Sequence, residues 1–146
     1  MAAVWALCAL SALAPAPAAA APYAALVMDA RTGEVLHARS ADRKLHPASL
    51  TKMMTLYMAI EAVKRGRLGL DQRVRVSRTA AKQPPSKIGL RAGQRVTVRH
   101  LMRASAVKSA NDAATALAEA TVRGSVSDWA KAATAKARAL GMRNTT

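Results

Sequence analysis

A hydroxyl nucleophile needs a base beside it, and one short segment of this 146-residue chain offers such a pair. In Pro47-Ala48-Ser49-Leu50-Thr51-Lys52, Ser49 stands where a helix is expected to begin. Lys52 lies three residues on, one turn along the same helix face. A lysine amine takes a serine proton when burial or neighbouring cations keep it neutral at working pH. The positive end of a helix dipole favours negative charge developing near Ser49. The chemistry that follows from these residue types is attack by a base-activated serine hydroxyl.

Ser-x-x-Lys alone is a weak signal, and the chain carries its own control. Ser105-Ala106-Val107-Lys108 has the same spacing but falls at the expected end of a helix, where the dipole has the wrong sign for an anion. Directly after it comes Ser109-Ala110-Asn111-Asp112, just before another expected helix. There Ser109 can relay a proton to a leaving amine, and the Asn111 amide can hold a peptide carbonyl or side chain. Either residue would also serve simply as a helix cap. Metal chemistry has little support. His37, His46 and His100 show no ligand spacing, and the single cysteine, Cys8, makes neither an internal disulfide nor a cysteine-based zinc site. A Ser-His-Asp site is not excluded by spacing, because triads assemble in space. Each histidine is nevertheless expected on the surface or hydrogen-bonded. No metal and no cofactor is expected.

The elements that must hold these residues are legible in outline. Tyr23 to Ala30 is apolar enough for a strand, Gly33 suits a positive-φ turn, and Glu34 to Arg39 alternates polar and apolar. Together they predict a β-hairpin. Ser40 to Ala48 is a polar connection. From Ser49 the period becomes helical, with Leu50, Met53, Met54, Tyr57, Ile60 and Val63 at helical spacing and Gly66 placed as a cap. Leu70 to Ser77 contains the alternation Val74, Val76 and reads as a short strand. Pro84-Pro85 and Gly89 mark a loop. Thr97 is placed to cap a helix running to about Val107. A second helix is expected from Asn111 through Ala120, broken by Gly124, and a third from about Ser127 to Leu140, ended by Gly141.

With these residues in view, the chain resembles the low-molecular-mass penicillin-binding proteins, specifically the secreted serine D-alanyl-D-alanine carboxypeptidases. Asp29-Ala30-Arg31-Thr32-Gly33-Glu34-Val35-Leu36 is similar to that family's amino-terminal hairpin. Pro47 to Thr55 is similar to its nucleophile segment, and Lys108-Ser109-Ala110-Asn111-Asp112-Ala113-Ala114 to its second motif. Ala139-Leu140-Gly141-Met142-Arg143-Asn144-Thr145 is similar to the segment after its next helix. The resemblance runs from about Ala24 to Thr146 and implies an α/β (α+β) fold of the β-lactamase/transpeptidase-like class. It would be truncated: an amino-terminal hairpin, a mostly helical region, and the later sheet strands missing.

The resemblance also implies roles. Ser49 would form the acyl-enzyme, with its backbone N–H as one oxyanion donor; Lys52 would accept its proton; Ser109 would pass a proton to the leaving D-alanine; Asn111 would contact substrate. The substrate would be a peptidoglycan stem peptide ending in D-Ala-D-Ala, and β-lactam antibiotics would acylate the same serine. A β-lactamase or D,D-endopeptidase of the same fold is the alternative. One departure stands out: no Lys-Thr-Gly occurs in the chain. In the family that motif binds the terminal carboxylate and supplies the second oxyanion donor. The chain is therefore expected to be an amino-terminal fragment with weak or no activity, and peripheral membrane association would run through a carboxyl-terminal segment it lacks.

Composition bounds the rest. Half of the chain is hydrophobic, too much for disorder, yet it has no Phe and only two Trp and two Tyr. Residues 1–28 carry no charge, and an apolar run from Val4 to Leu13 leads into an Ala-Pro tract. This reads as a signal peptide over residues 1–21, followed by a peptidase-domain portion over residues 22–146. The expected location is secreted or periplasmic, in the cell envelope. The net charge is +15, which raises a basic polyanion-binding module as a remote alternative. Nucleic acid is not the expected partner: the basic residues are dispersed and aromatic stacking partners are nearly missing.

Overall fold

The computed structural model describes residues 22–146. The expected signal segment, with Cys8, lies outside the described residues. The chain divides into two compact units between Leu45 and His46.

The first unit is the predicted hairpin. Strand β1 (Ala25–Met28) pairs antiparallel with β2 (Val35–Arg39), Ala25 opposite Arg39 and Val27 opposite His37, with a register shift between Val27 and Met28. The turn closes through Asp29. Its carboxylate accepts the backbone N–H groups of Arg31 (2.9 Å) and Thr32 (2.8 Å), and Gly33 takes φ +76°. Those N–H groups, Thr32 first and then Arg31, hold the Asp29 carboxyl below its ordinary pKa of 3.8. Both strands carry exposed apolar side chains, among them Leu26, Val27, Val35 and Leu36.

The second unit begins with a 3-10 turn (Ala48–Leu50) that runs directly into α1 (Thr51–Lys64). Gly66, at φ +67°, ends α1 as expected. The Gly66 N–H donates to the Val63 carbonyl and the Arg67 N–H to the Ala62 carbonyl, the paired bonds that satisfy a helix's last carbonyls. Strand β3 (Arg73–Arg75) falls inside the predicted Leu70 to Ser77 stretch. Its partner β4 (Arg95–Thr97) and the one-turn α2 (Arg78–Ala81) are additions to the expected order. β4 is three residues long, and the alternation Arg95-Val96-Thr97-Val98-Arg99 around it runs straight into the helix expected after Thr97, so only the antiparallel pairing with β3 settles it as a strand.

Helix α3 (Val98–Val107) is capped by Thr97, whose hydroxyl accepts the His100 N–H at 3.3 Å. Helices α4 (Asn111–Val122) and α5 (Val126–Ala139) follow. The residue that turns left-handed after α4 is Arg123 (φ +54°) rather than the expected Gly124. Gly124 is needed for a different reason: a Cβ there would meet the Asp128 carboxylate at 2.9 Å.

The core lies around α4, which buries Ala113, Ala116 and Leu117 against Ala59 and Ala62 of α1 and against Leu101 and Ala104 of α3. Alanine makes up about a quarter of the chain, and its small side chains suit close helix approach. α1 is also tied to α5 by Lys136, whose Nζ lies 2.8 Å from a Glu61 oxygen. One face of α1 differs from a simple core stripe. Leu50, Met53, Tyr57 and Ile60, whose spacing predicts the helix, are exposed, while Thr55, Met58, Ala59 and Ala62 are buried. The helix is apolar on two sides, so periodicity locates it without identifying which side packs.

Candidate active site

The 3-10 turn sets the position of Ser49. Ala48, just before it, takes φ +47°, a left-handed conformation that costs a non-glycine residue about 1–2 kcal/mol. α1 receives no side-chain cap, so the Ser49 hydroxyl is not used to terminate the helix. It instead accepts a hydrogen bond from Lys52 Nζ at 3.3 Å. Ser49 is exposed and Lys52 half-buried. Ser49 lies in the first helical turn, where backbone N–H groups have no partner within the helix.

The second Ser-x-x-Lys is different in kind. Ser105 is buried and its hydroxyl donates to the Leu101 carbonyl at 2.8 Å; Lys108 is exposed at the end of α3. The two residues are not hydrogen-bonded to each other.

Ser109 and Asn111 stand in the short connection between α3 and α4. Ser109 takes φ +51°, and the N-cap of α4 is Ala110, so neither predicted residue acts as a side-chain cap. The Asn111 amide donates to the carbonyls of Pro84 (2.9 Å) and Pro85 (3.2 Å). Its backbone N–H donates to the Ser86 carbonyl at 2.7 Å, and the Ser86 hydroxyl returns a bond to the Lys108 carbonyl at 3.0 Å. With both amide hydrogens committed to the loop, the Asn111 side-chain oxygen is the atom left for a ligand.

Sequence reasoning missed Asp112. Its fully buried carboxylate accepts the backbone N–H groups of Ile88 (3.1 Å) and Leu90 (2.9 Å). With Asn111 and Ser86 it clamps the Pro84–Leu90 loop to the start of α4. The available signal was an acidic residue directly after the candidate asparagine, at a helix start.

Lys52 and Asn111 face one cavity of about 230 Å³, together with Ala48, Thr55, Thr115 and Trp129. The fold therefore joins the first motif to the second across α1, α4 and α5. Ser49 and Ser109 do not line that cavity; Ser49 is linked to it through its bond to Lys52. The Trp129 Nε1 is buried there and has no hydrogen-bond partner among the described residues. His37, His46 and His100 are all exposed. No helix among the described residues is long and apolar enough to cross a membrane.

Comparison with known proteins agrees with the motifs. Residues 11–146 match the family described as D-alanyl-D-alanine carboxypeptidase. The D-alanyl-D-alanine carboxypeptidase DacF of Bacillus subtilis is 36% identical over 121 residues, covering 83% of this chain and 31% of its own length. The crystal structure of DacD from Francisella tularensis superposes with a TM-score of 0.78 at 36% identity, over 90% of this chain and 32% of that one. A cefotaxime-bound penicillin-binding protein from Listeria monocytogenes superposes with a TM-score of 0.67 at 33% identity, over 81% of this chain and 47% of that one. The chain thus spans about a third of the length of the curated relatives it matches. Its mixed helix and strand architecture is the corresponding part of the penicillin-binding-protein and β-lactamase-like fold. On the match of nearly its whole length, the chain belongs to the D-alanyl-D-alanine carboxypeptidase family.

Proposed function

We propose that residues 22–146 carry the nucleophile half of a serine D-alanyl-D-alanine carboxypeptidase that acts on peptidoglycan stem peptides in the cell envelope. The observation that carries this reading is the 3.3 Å contact between Lys52 Nζ and Ser49 Oγ, with Lys52 sharing a cavity with Asn111. With its amine neutral, Lys52 takes the Ser49 proton as Oγ attacks the carbonyl carbon of the penultimate D-alanine. The Ser49 N–H donates to the oxyanion that forms. The C–N bond to the terminal D-alanine then breaks, and Ser109 gives its proton to the departing amine while receiving the one held by Lys52. Water hydrolyses the ester and restores Ser49. Asn111 contributes an acceptor oxygen that suits a peptide N–H of the substrate. The left-handed backbone at Ala48 and Ser109 supports the assignment, because strain held at a specific site is one mark of a functional position.

The same serine is the proposed target of β-lactams, a reading supported by the cefotaxime-bound relative. Residues 1–21 are proposed as the secretion signal that brings the chain to the envelope, and residues 22–146 as the amino-terminal portion of the peptidase domain.

The test is acylation by a fluorescent penicillin. The chain is fused to the Lys-Thr-Gly-bearing remainder of the Bacillus subtilis relative, and the labelled band is followed on a denaturing gel. Labelling is expected in the fusion and in its Ser105→Ala variant, and absent in Ser49→Ala. Labelling that persists in Ser49→Ala overturns the assignment.

A further inference from the structure

We propose that the β3–β4 ribbon is a binding site for phosphate groups of an anionic envelope component, separate from the serine chemistry. The ribbon is two-faced. Val74 and Val96 are cross-strand partners that turn inward, Val96 into the core and Val74 packed against it. The outward face carries Arg73, Arg75 and Arg95 with Thr97, and all three arginines are exposed.

Arg75 stands directly opposite Arg95 in the register. Cross-strand partners have Cβ atoms about 4.5–5.5 Å apart, and like charges so placed repel. Opposite charges at such a position would attract instead. Neither Arg75 nor Arg95 takes part in an ion pair among the described residues; those pairs engage Arg65, Arg99 and Lys136.

Beside this pair the surface is concave. A cavity of about 520 Å³ is lined by Arg75 and Arg78 with Ala92 and Gly93, so of the facing pair Arg75 is the member that borders it. The Arg75 guanidinium lies over Gly93, 3.9 Å from where a Cβ would stand, and Gly93 takes φ +82°. The carboxylate of Glu119 is in the neighbourhood but is engaged by the Ser77 hydroxyl at 3.0 Å.

Oxygen geometry selects the ligand. A carboxylate's two oxygens are coplanar with its carbon and match one guanidinium fork. The two free oxygens of a phosphate linked on both sides diverge from a tetrahedral phosphorus, so each accepts from a different guanidinium and the repulsion between Arg75 and Arg95 is relieved. Two sources present such linked phosphates at an envelope: a soluble polymer of phosphate units and the headgroups of anionic phospholipid.

The experiment measures binding of the full chain to fluorescent inorganic polyphosphate and to vesicles containing phosphatidylglycerol, across a salt series. Arg75→Ser/Arg95→Ser is compared with Arg138→Ser/Arg143→Ser, which removes the same charge elsewhere. Circular dichroism checks that each variant is folded. The ribbon variant is expected to lose about tenfold affinity per arginine and to flatten the salt slope by about two, while the control changes little. Binding to polyphosphate supports a polymer ligand; binding confined to vesicles supports a headgroup ligand. Equal loss in the two variants overturns the proposal, because a diffuse basic field would then suffice. Equal affinity for polyglutamate overturns it as well, as does an absence of binding in both arms.

Discussion

A lysine three residues from a serine recurs by chance, and this chain shows what separates the two cases. At Ser49 the hydroxyl faces the Lys52 amine; at Ser105 it bonds back to the Leu101 carbonyl inside the core. Ser109 adds a second mark, since it holds a conformation that glycine adopts freely. Ser109→Gly is therefore expected to stabilise the fold by about 1 kcal/mol through relief of the left-handed strain. In the penicillin-acylated fusion the same change is expected to slow the chemistry by about 10²-fold, through loss of the proton relay. A melting curve and an acylation time course on one preparation check both halves. A fall in melting temperature would show that the hydroxyl has a structural role instead. Ser49 and Lys52 could be read from the sequence because their relation is local, three residues on one helix. The partners of Asn111 could not, because Pro84 and Pro85 lie 27 and 26 residues away and meet it only through tertiary folding. Asp112 was hidden for the same reason: its acceptors serve Ile88 and Leu90, 24 and 22 residues distant.

Helix ends were legible where a single residue type decides them. Gly66 and Gly141 end α1 and α5 at positive φ, and Thr97 starts α3, each as its chemistry predicts. The start of α5 is a reciprocal cap. The Asp128 N–H donates to the Ser125 hydroxyl oxygen at 3.2 Å, and the Ser125 N–H donates to the Asp128 carboxylate at 2.9 Å. The Ser125 hydroxyl and then its backbone N–H hold the Asp128 carboxyl below its ordinary pKa of 3.8. A carboxyl depressed in the folded state contributes its stability above the unfolded value and loses it as pH falls through the folded value. The unfolding midpoint of the chain is therefore expected to drop as pH falls below about 4, and Asp128→Asn to lessen that drop. Urea melts between pH 6 and pH 2.5 check this; an identical acid limb in the variant sinks it. β4 lacks any such end signal. Its three residues form a strand because Val96 reaches the core opposite Val74, which is a property of the pairing and not of the segment.

At the scale of the chain, the apolar residues divide between a packed core and an exposed face. The alanine content builds the core, where the largest fully buried side chains are only Leu101, Leu117, Val76, Val98 and Asp112. The second apolar side of α1, from Leu50 through Met53 and Tyr57 to Ile60, has no such partner among the described residues. Contiguous apolar surface of this kind drives association in water. Met53→Gln/Ile60→Gln is expected to lower concentration-dependent association in sedimentation and to leave the melting temperature of dilute chain unchanged. Unaltered association would place the contact elsewhere. Catalysis likewise depends on which groups the 146 residues supply. In the proposed mechanism Ser49 serves as nucleophile, Lys52 as its base, Ser109 as relay and the Ser49 N–H as one oxyanion donor. The family's Lys-Thr-Gly, which the resemblance names as source of the second donor, does not occur in the 146 residues. Removing one oxyanion donor costs about 10²–10³ in rate. The chain alone is therefore expected to take up fluorescent penicillin at least about 10²-fold more slowly than its fusion to the Lys-Thr-Gly-bearing part of the relative. The fusion contains all 146 residues of the isolated chain and adds the second donor, so equal rates would mean that acylation of Ser49 does not depend on that donor.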